Sequence, residues 1–178
     1  MSNDEIPPDI VCKSIGLIRK YIPVDNGDGE WRWLVHQPKR NSWFQLIETD
    51  RLEKESFRQA LDREIAWILP LRAKQDYLMS SVPRLHYRHK IEPGCGSNTG
   101  EPMQIMTQCT EFYTVDLYGK EAEKQTAHAP GIDWITSLEL TQGQWTREGE
   151  LRLLLPAQTA LLEMSQVVSH WEGTADWS

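Results

Sequence analysis

Apolar and polar positions alternate along the first third of the chain, and one strong turn breaks the alternation. Cys12 to Val24 carries Ile15, Leu17 and Ile18 and predicts a strand. Asp25-Asn26-Gly27-Asp28-Gly29 follows, and Asn and Gly readily take the positive φ of tight hairpins. Trp31, Trp33 and Val35 then alternate with Arg32, Leu34 and His36, which predicts the return strand. Pro38 to Ser42 interrupts the pattern, and Trp43-Phe44-Gln45-Leu46-Ile47 predicts a short strand. Here the period becomes helical. Phe57, Leu61, Ile65 and Ile68 fall on one stripe with Ala60 at its edge, and Pro70 ends a helix expected from about Glu53 to Leu69.

Beyond that helix, Tyr77 to Ile91 predicts a strand interrupted near Pro83, and Glu92 to Pro102 a hairpin loop rich in Gly and Pro. Gln104 to Tyr118 predicts a long strand with Phe112, Tyr113 and Val115 near its middle. Gly119 to Gly131 is polar and is expected to be an exposed connection. Ile132 to Ile135 predicts a short strand, and Ser137 to Leu140 a helical turn. Pro156 to Trp171 is amphipathic, with Ala160, Leu161, Met164, Val167 and Val168 on one face, and predicts the second main helix. This order implies an α+β chain, an α/β/α sandwich with a mixed sheet between two main helices. Residues 1–10 are expected to be a flexible N-terminal tail, 11–172 one domain and 173–178 a C-terminal tail.

Composition narrows the partners. The chain has 178 residues, 39% hydrophobic and 25% charged, which suits one domain with its own core. No apolar run reaches the roughly 18 residues of a membrane span, so no membrane partner is expected. The N-terminus has neither the basic start nor the apolar stretch of a secretory signal. Three widely spaced cysteines argue against a disulfide framework and for a reducing, cytoplasmic location. A net charge of −7 argues against general nucleic-acid binding, which rests on clustered Lys and Arg.

Several constellations have two readings. Glu48, Asp50, Glu53 and Glu55 gather before the predicted helix, either as a displaced metal site or, more simply, as acids complementing the helix dipole with Asp50 as N-cap. Arg84, His86, Arg88 and Lys90 alternate with Leu85, Tyr87, His89 and Ile91, so one strand face would carry all four. That face is a candidate anion-docking strip, or a solvated outer surface. Cys95 lies between two glycines without a basic neighbour to activate it. There is no G-x-S-x-G elbow, P-loop or H-E-x-x-H.

The strand–helix segment resembles a Nudix box, G-x5-E-x7-R-E-U-x-E-E-x-G-U with U aliphatic. Glu55 matches its first glutamate and Arg63-Glu64-Ile65 its R-E-U, at the right distance. The segments around Trp43, Asp133 to Leu140, Pro156 and Leu161-Leu162-Glu163 are similar to the family's flanking elements. The departures are at the ligands. Thr49 stands for the leading glycine, Trp67 and Ile68 for the paired glutamates, and Pro70 for the closing glycine. In the family those glutamates bind the Mg²⁺ or Mn²⁺ that activates water and steadies a diphosphate. Residues at i, i+3 and i+4 share a helix face, so of Glu64, Trp67 and Ile68 only one is a metal ligand. The resemblance therefore implies a Nudix-like domain without standard metal-dependent pyrophosphohydrolase activity and with no metal cofactor. It would bind a nucleotide-like small molecule or a protein partner. The alternative is an active hydrolase of a nucleoside-diphosphate-linked compound, with Mg²⁺ or Mn²⁺ held by Glu64 and acids such as Glu48, Asp50, Glu121 or Glu123. In that case Glu64 is catalytic and Arg63 and Glu55 support it.

Overall fold

The computed structural model describes residues 10–23, 29–39, 41–91, 106–127 and 129–172. Strand β1 (Ile10–Pro23) pairs antiparallel with β2 (Gly29–His36) at its C-terminal end and with β3 (Ile47–Asp50) further up. Its other edge pairs in parallel with β6 (Met106–Leu117), from Ile10↔Thr107 to Arg19↔Asp116. Strand β6 in turn carries β5 (Leu85–Ile91) along its first half and β4 (Tyr77–Met79) along its second. With β7 (Ile132–Ile135) beside β2, the sheet has seven strands and forks where the two long central strands change partners.

Side-chain parity on those central strands divides the core. Ile15 and Leu17 of β1, Trp33 and Val35 of β2 and Phe112 of β6 pack on one face. They meet α3 (Ser137–Gln142) and α4 (Pro156–Ser165) through Leu140, Leu161 and Leu162. On the opposite face Ile18, Leu34, Tyr113 and Val115 meet Leu61 and Ile65 of α1 (Phe57–Ile68) and Ala122 of α2 (Lys120–Ala127). The expected α/β/α sandwich is thus present, with α1 and α4 on opposite sides of the mixed sheet. Gly16 lets α1 approach: a Cβ there would lie 3.2 Å from Leu61 Cδ1. Fully burying a side chain such as Leu61 is worth about 2 kcal/mol, so the inner stripe of α1 anchors it to the sheet.

Several elements depart from expectation. Helix α1 starts at Phe57 rather than Glu53, because Ser56 and Gln59 form a capping box: Gln59 N–H donates to Ser56 Oγ at 3.1 Å and Ser56 N–H to Gln59 Oε1 at 2.8 Å. Asp50 is not the cap; it closes β3. The Trp43–Ile47 segment makes only single bridges, Phe44 to Leu154 and Gln45 to His36, and the strand proper begins at Ile47. Gly119 to Gly131 is not only a connection, since it contains α2, with Ala122 and Thr126 buried one turn apart. An unexpected hairpin joins β8 (Gln144–Arg147) to β9 (Glu150–Leu153). Its two loop residues, Glu148 and Gly149, both have positive φ (52° and 81°), as a type I′ turn requires. The last helix stops at Ser165, where Gln166 turns left-handed at φ 50°. Val167 and Val168 are buried beyond it, whereas Met164 is exposed. Most of the first turn, the Glu92–Pro102 loop, Cys95 and nearly all of both expected tails lie outside the described residues. No helix among the described residues is long and apolar enough to cross a membrane.

Candidate functional site

The outer face of α1 is organised by one arginine. Arg63 Nε and Nη2 reach the Glu55 carboxylate at 2.9 and 3.1 Å, and Nη2 also donates to Asp50 O at 3.2 Å. This clamps the end of β3 and the following loop to the helix. The Arg63 guanidinium holds the Glu55 carboxyl below the usual carboxylate range. Glu64 is half-buried, and its partner is again Arg63, 3.5 Å away. One turn further, Trp67 is 86% exposed, while Ile68 lies against the core. Arg63, Glu64, Ala66 and Trp67 line an open depression of about 450 Å³.

Glu48 does not join Glu64. It sits one residue after Ile47, which packs towards α1, so its side chain takes the other face of the sheet. There Gln158 Nε2 of α4 donates to it at 2.7 Å and Lys13 at 3.1 Å. Asp50 lies 3.9 Å from Lys13, and Glu121 and Glu123 are exposed in the first turn of α2.

No protein-family model and no curated protein matches the chain. Solved structures do. A MutT/Nudix family protein from Listeria innocua is 14% identical, over 88% of this chain and 90% of that one, with a TM-score of 0.54. The Ap4A hydrolase of C. elegans is 11% identical over 89% and 92%, with a TM-score of 0.54. The NUDIX domain of Shewanella oneidensis NrtR, solved with ADP ribose, is 12% identical over 93% and 92%, with a TM-score of 0.53. The chain has a Nudix-like fold.

That fold implies a divalent cation on α1, and the residues present do not fit one. Mg²⁺ asks for about six oxygens in near-octahedral geometry, with carboxylates supplying part of them. Both Glu55 oxygens are engaged by Arg63. Trp67 and Ile68 occupy the remaining positions on the ligand face, which leaves Glu64 alone. Among the described residues no group of three or more His, Cys, Asp or Glu converges as metal ligands would.

The basic strip is only partly assembled in this Nudix-like frame. His86, Arg88 and Lys90 are exposed on one face of β5. Arg84, just before the strand, turns away from them; its Nε donates to Val167 O at 2.8 Å and its Nη2 pairs with Glu172 at 2.6 Å. It latches the segment after α4. His86 is engaged too, between Glu111 and Cys109 of β6. Sequence reasoning had not singled out those two residues. The signal was available once β6 is a strand: Cys109, Glu111 and Tyr113 alternate and must share a face.

Proposed function

We propose that this chain is a Nudix-like domain that binds a nucleoside-diphosphate-linked small molecule on the outer face of α1 and does not hydrolyse it by the standard metal-dependent route. The observation that carries the reading is the pairing of Trp67, 86% exposed, with a single loosely held carboxylate, Glu64, whose one contact is Arg63 at 3.5 Å. An indole so open to water is a ready stacking surface for a base, and one carboxylate is a poor cation cage. The ligand class is supported by two proteins of like fold, one named for Ap4A hydrolysis and one solved with ADP ribose. In this reading Glu55 and Arg63 shape the loop and do no chemistry. On the same reading the described residues from Ile10 to Glu172 make up one domain, and the free thiols Cys12 and Cys109 support a reducing, cytoplasmic setting.

The test is a titration with ADP ribose and with Ap4A, followed by tryptophan fluorescence in chelator and then in excess Mg²⁺ or Mn²⁺. Saturation that is indifferent to metal, and weakened roughly tenfold or more in Trp67→Ala, is expected. Product release that requires metal and disappears in Glu64→Gln would instead establish the hydrolase with a non-standard acidic site.

A further inference from the structure

Four polar side chains on the α1 side of β5 and β6 form a connected chain that the ligand-binding reading leaves unused. His86 is the register partner of Glu111, and Cys109 and Tyr113 flank Glu111 on its face of β6. His86 Nδ1 lies 3.0 Å from Glu111 Oε1, and His86 Nε2 lies 3.1 Å from Cys109 Sγ. The Tyr113 hydroxyl donates to Glu111 Oε2 at 2.5 Å. A carboxylate beside Nδ1 keeps the ring proton there, so the Nε2 lone pair faces the thiol. These are the parts of an activated nucleophile: a thiol, a base in reach of its proton, and a group that orients the base.

A second thiol stands beside the first. Cys12 of β1 is the register partner of Cys109 across the parallel β1–β6 pair. Adjacent strands run about 4.8 Å apart, and paired positions project to the same face. That spacing lies within the Cα–Cα range of roughly 4.4–6.8 Å that a disulfide spans. Burial pushes the Cys12 thiol up and nearby Arg51 pulls the other way, so Cys12 keeps its proton until it reacts. Cys109 is only 4% exposed, Cys12 is half-buried and the His86 ring is partly open. The open side of the His86 ring gives a small solute an approach to the Cys109 sulfur.

We propose that Cys109 is a peroxide-reactive thiol with His86 as its base and Cys12 as its resolving partner, and that the two cysteines close into a β1–β6 disulfide. Cys109 passes its proton to His86 Nε2, and the thiolate attacks one oxygen of hydrogen peroxide. The O–O bond breaks, Cys109 becomes a sulfenic acid, and the leaving hydroxide takes the imidazolium proton to become water. Cys12 sulfur then attacks the sulfenic sulfur, the S–O bond breaks, and hydroxide departs with the Cys12 proton as a second water. Two thiols lose two electrons in all, and one peroxide is reduced to two waters. Exchange with a low-molecular-weight thiol such as glutathione reverses the change. The N-terminus of α1 is in reach of the event, since Ser14 Oγ donates to Phe57 O at 2.6 Å and Arg51 N–H to Cys12 O at 2.9 Å.

The experiment uses the full chain carrying Cys95→Ser, treated with hydrogen peroxide, alkylated and mapped by peptide mass spectrometry. A linked peptide joining Cys12 to Cys109 is expected, with its formation slowed by at least roughly tenfold in His86→Asn. In Cys12→Ser, dimedone should label Cys109. Circular dichroism establishes that each variant is folded. Should His86→Asn not fold, Glu111→Gln keeps the imidazole, removes its orienting charge and is expected to slow the reaction as well. The proposal is overturned if both thiols remain alkylatable after peroxide, or if the folded base-side variant oxidises at the parent rate.

Discussion

The α4 side of the sheet and the outer face of α1 hold polar groups in opposite ways. Around β7, the Asp133 carboxylate accepts from Trp145 Nε1 at 2.7 Å and from Arg152 at 2.9 Å, with Arg147 at 3.5 Å. Nearby, Gln158 ties α4 to Leu46 through both backbone groups and to Glu48 through its amide. Each of these side chains is spent on holding elements together. On α1, Arg58 and Asp62 are tied to β4 and Arg63 binds the loop through Glu55, while Glu64 has a single long contact and Trp67 stands in water. Polar groups fully engaged in a fold are poor candidates for ligands, and loosely held ones beside an exposed ring are better ones. The contrast locates the candidate binding face without any appeal to a motif.

Asp133 is where the contrast breaks most visibly. It is 12% exposed and serves four partners, so Asp133→Ala leaves two guanidinium groups, an indole N–H and the Trp134 backbone N–H short of an acceptor. Removing one member of such a partly buried cluster costs about 3 kcal/mol. Urea denaturation is expected to show a midpoint lowered accordingly, with an unchanged slope. A loss below about 1 kcal/mol would mean that the α4 side is no more committed to stability than α1.

A somewhat smaller effect should appear in the pH dependence. Burial pushes His36 down to about 4, with the Glu48 charge opposing it, so the fold holds a neutral imidazole. In the unfolded chain the ordinary value is about 6.5. Between those values the unfolded state binds the extra proton, so stability is full above pH about 6.5 and falls as the pH is lowered towards 4. The loss amounts to about 3 kcal/mol at most. His36→Gln should flatten that slope in denaturation series taken across the window; an unaltered slope would assign the acid sensitivity to other groups.

The parts of this molecule that were legible in the sequence are those with strong periodic signals. The β1–β2 hairpin and the Leu61–Ile65 stripe of α1 announce themselves through large apolar residues at fixed spacing. The resemblance to a Nudix box rested on Glu55, Arg63, Glu64 and Ile65, and the fold that it implied is the one observed. Helix α2 was hidden because its buried stripe consists of Ala122 and Thr126, small residues that give no periodic contrast. The start of α1 was misplaced because an acidic run outweighed the Ser56–Gln59 capping pair, although that pair satisfies backbone groups directly. The His86–Cys109 contact was out of reach for another reason. It joins residues 23 positions apart through strand register, and register depends on pairing that no local pattern specifies.

The least disruptive substitutions test the candidate face itself. Trp67 has little burial to lose, and Glu64 makes one contact at 3.5 Å. Trp67→Ala and Glu64→Gln should therefore leave stability within about 0.5 kcal/mol of the parent, the usual range for exposed positions. Helix propensity sharpens the expectation for Trp67, since Ala is the better helix former and offsets part of any lost packing. Stability from urea titration and ligand binding by fluorescence then separate cleanly. A variant as stable as the parent that no longer binds ADP ribose assigns Trp67 to recognition. A Trp67→Ala loss of 2 kcal/mol or more, by roughly the measure of a buried side chain, would instead show that the indole packs against a part of the chain and is no stacking platform.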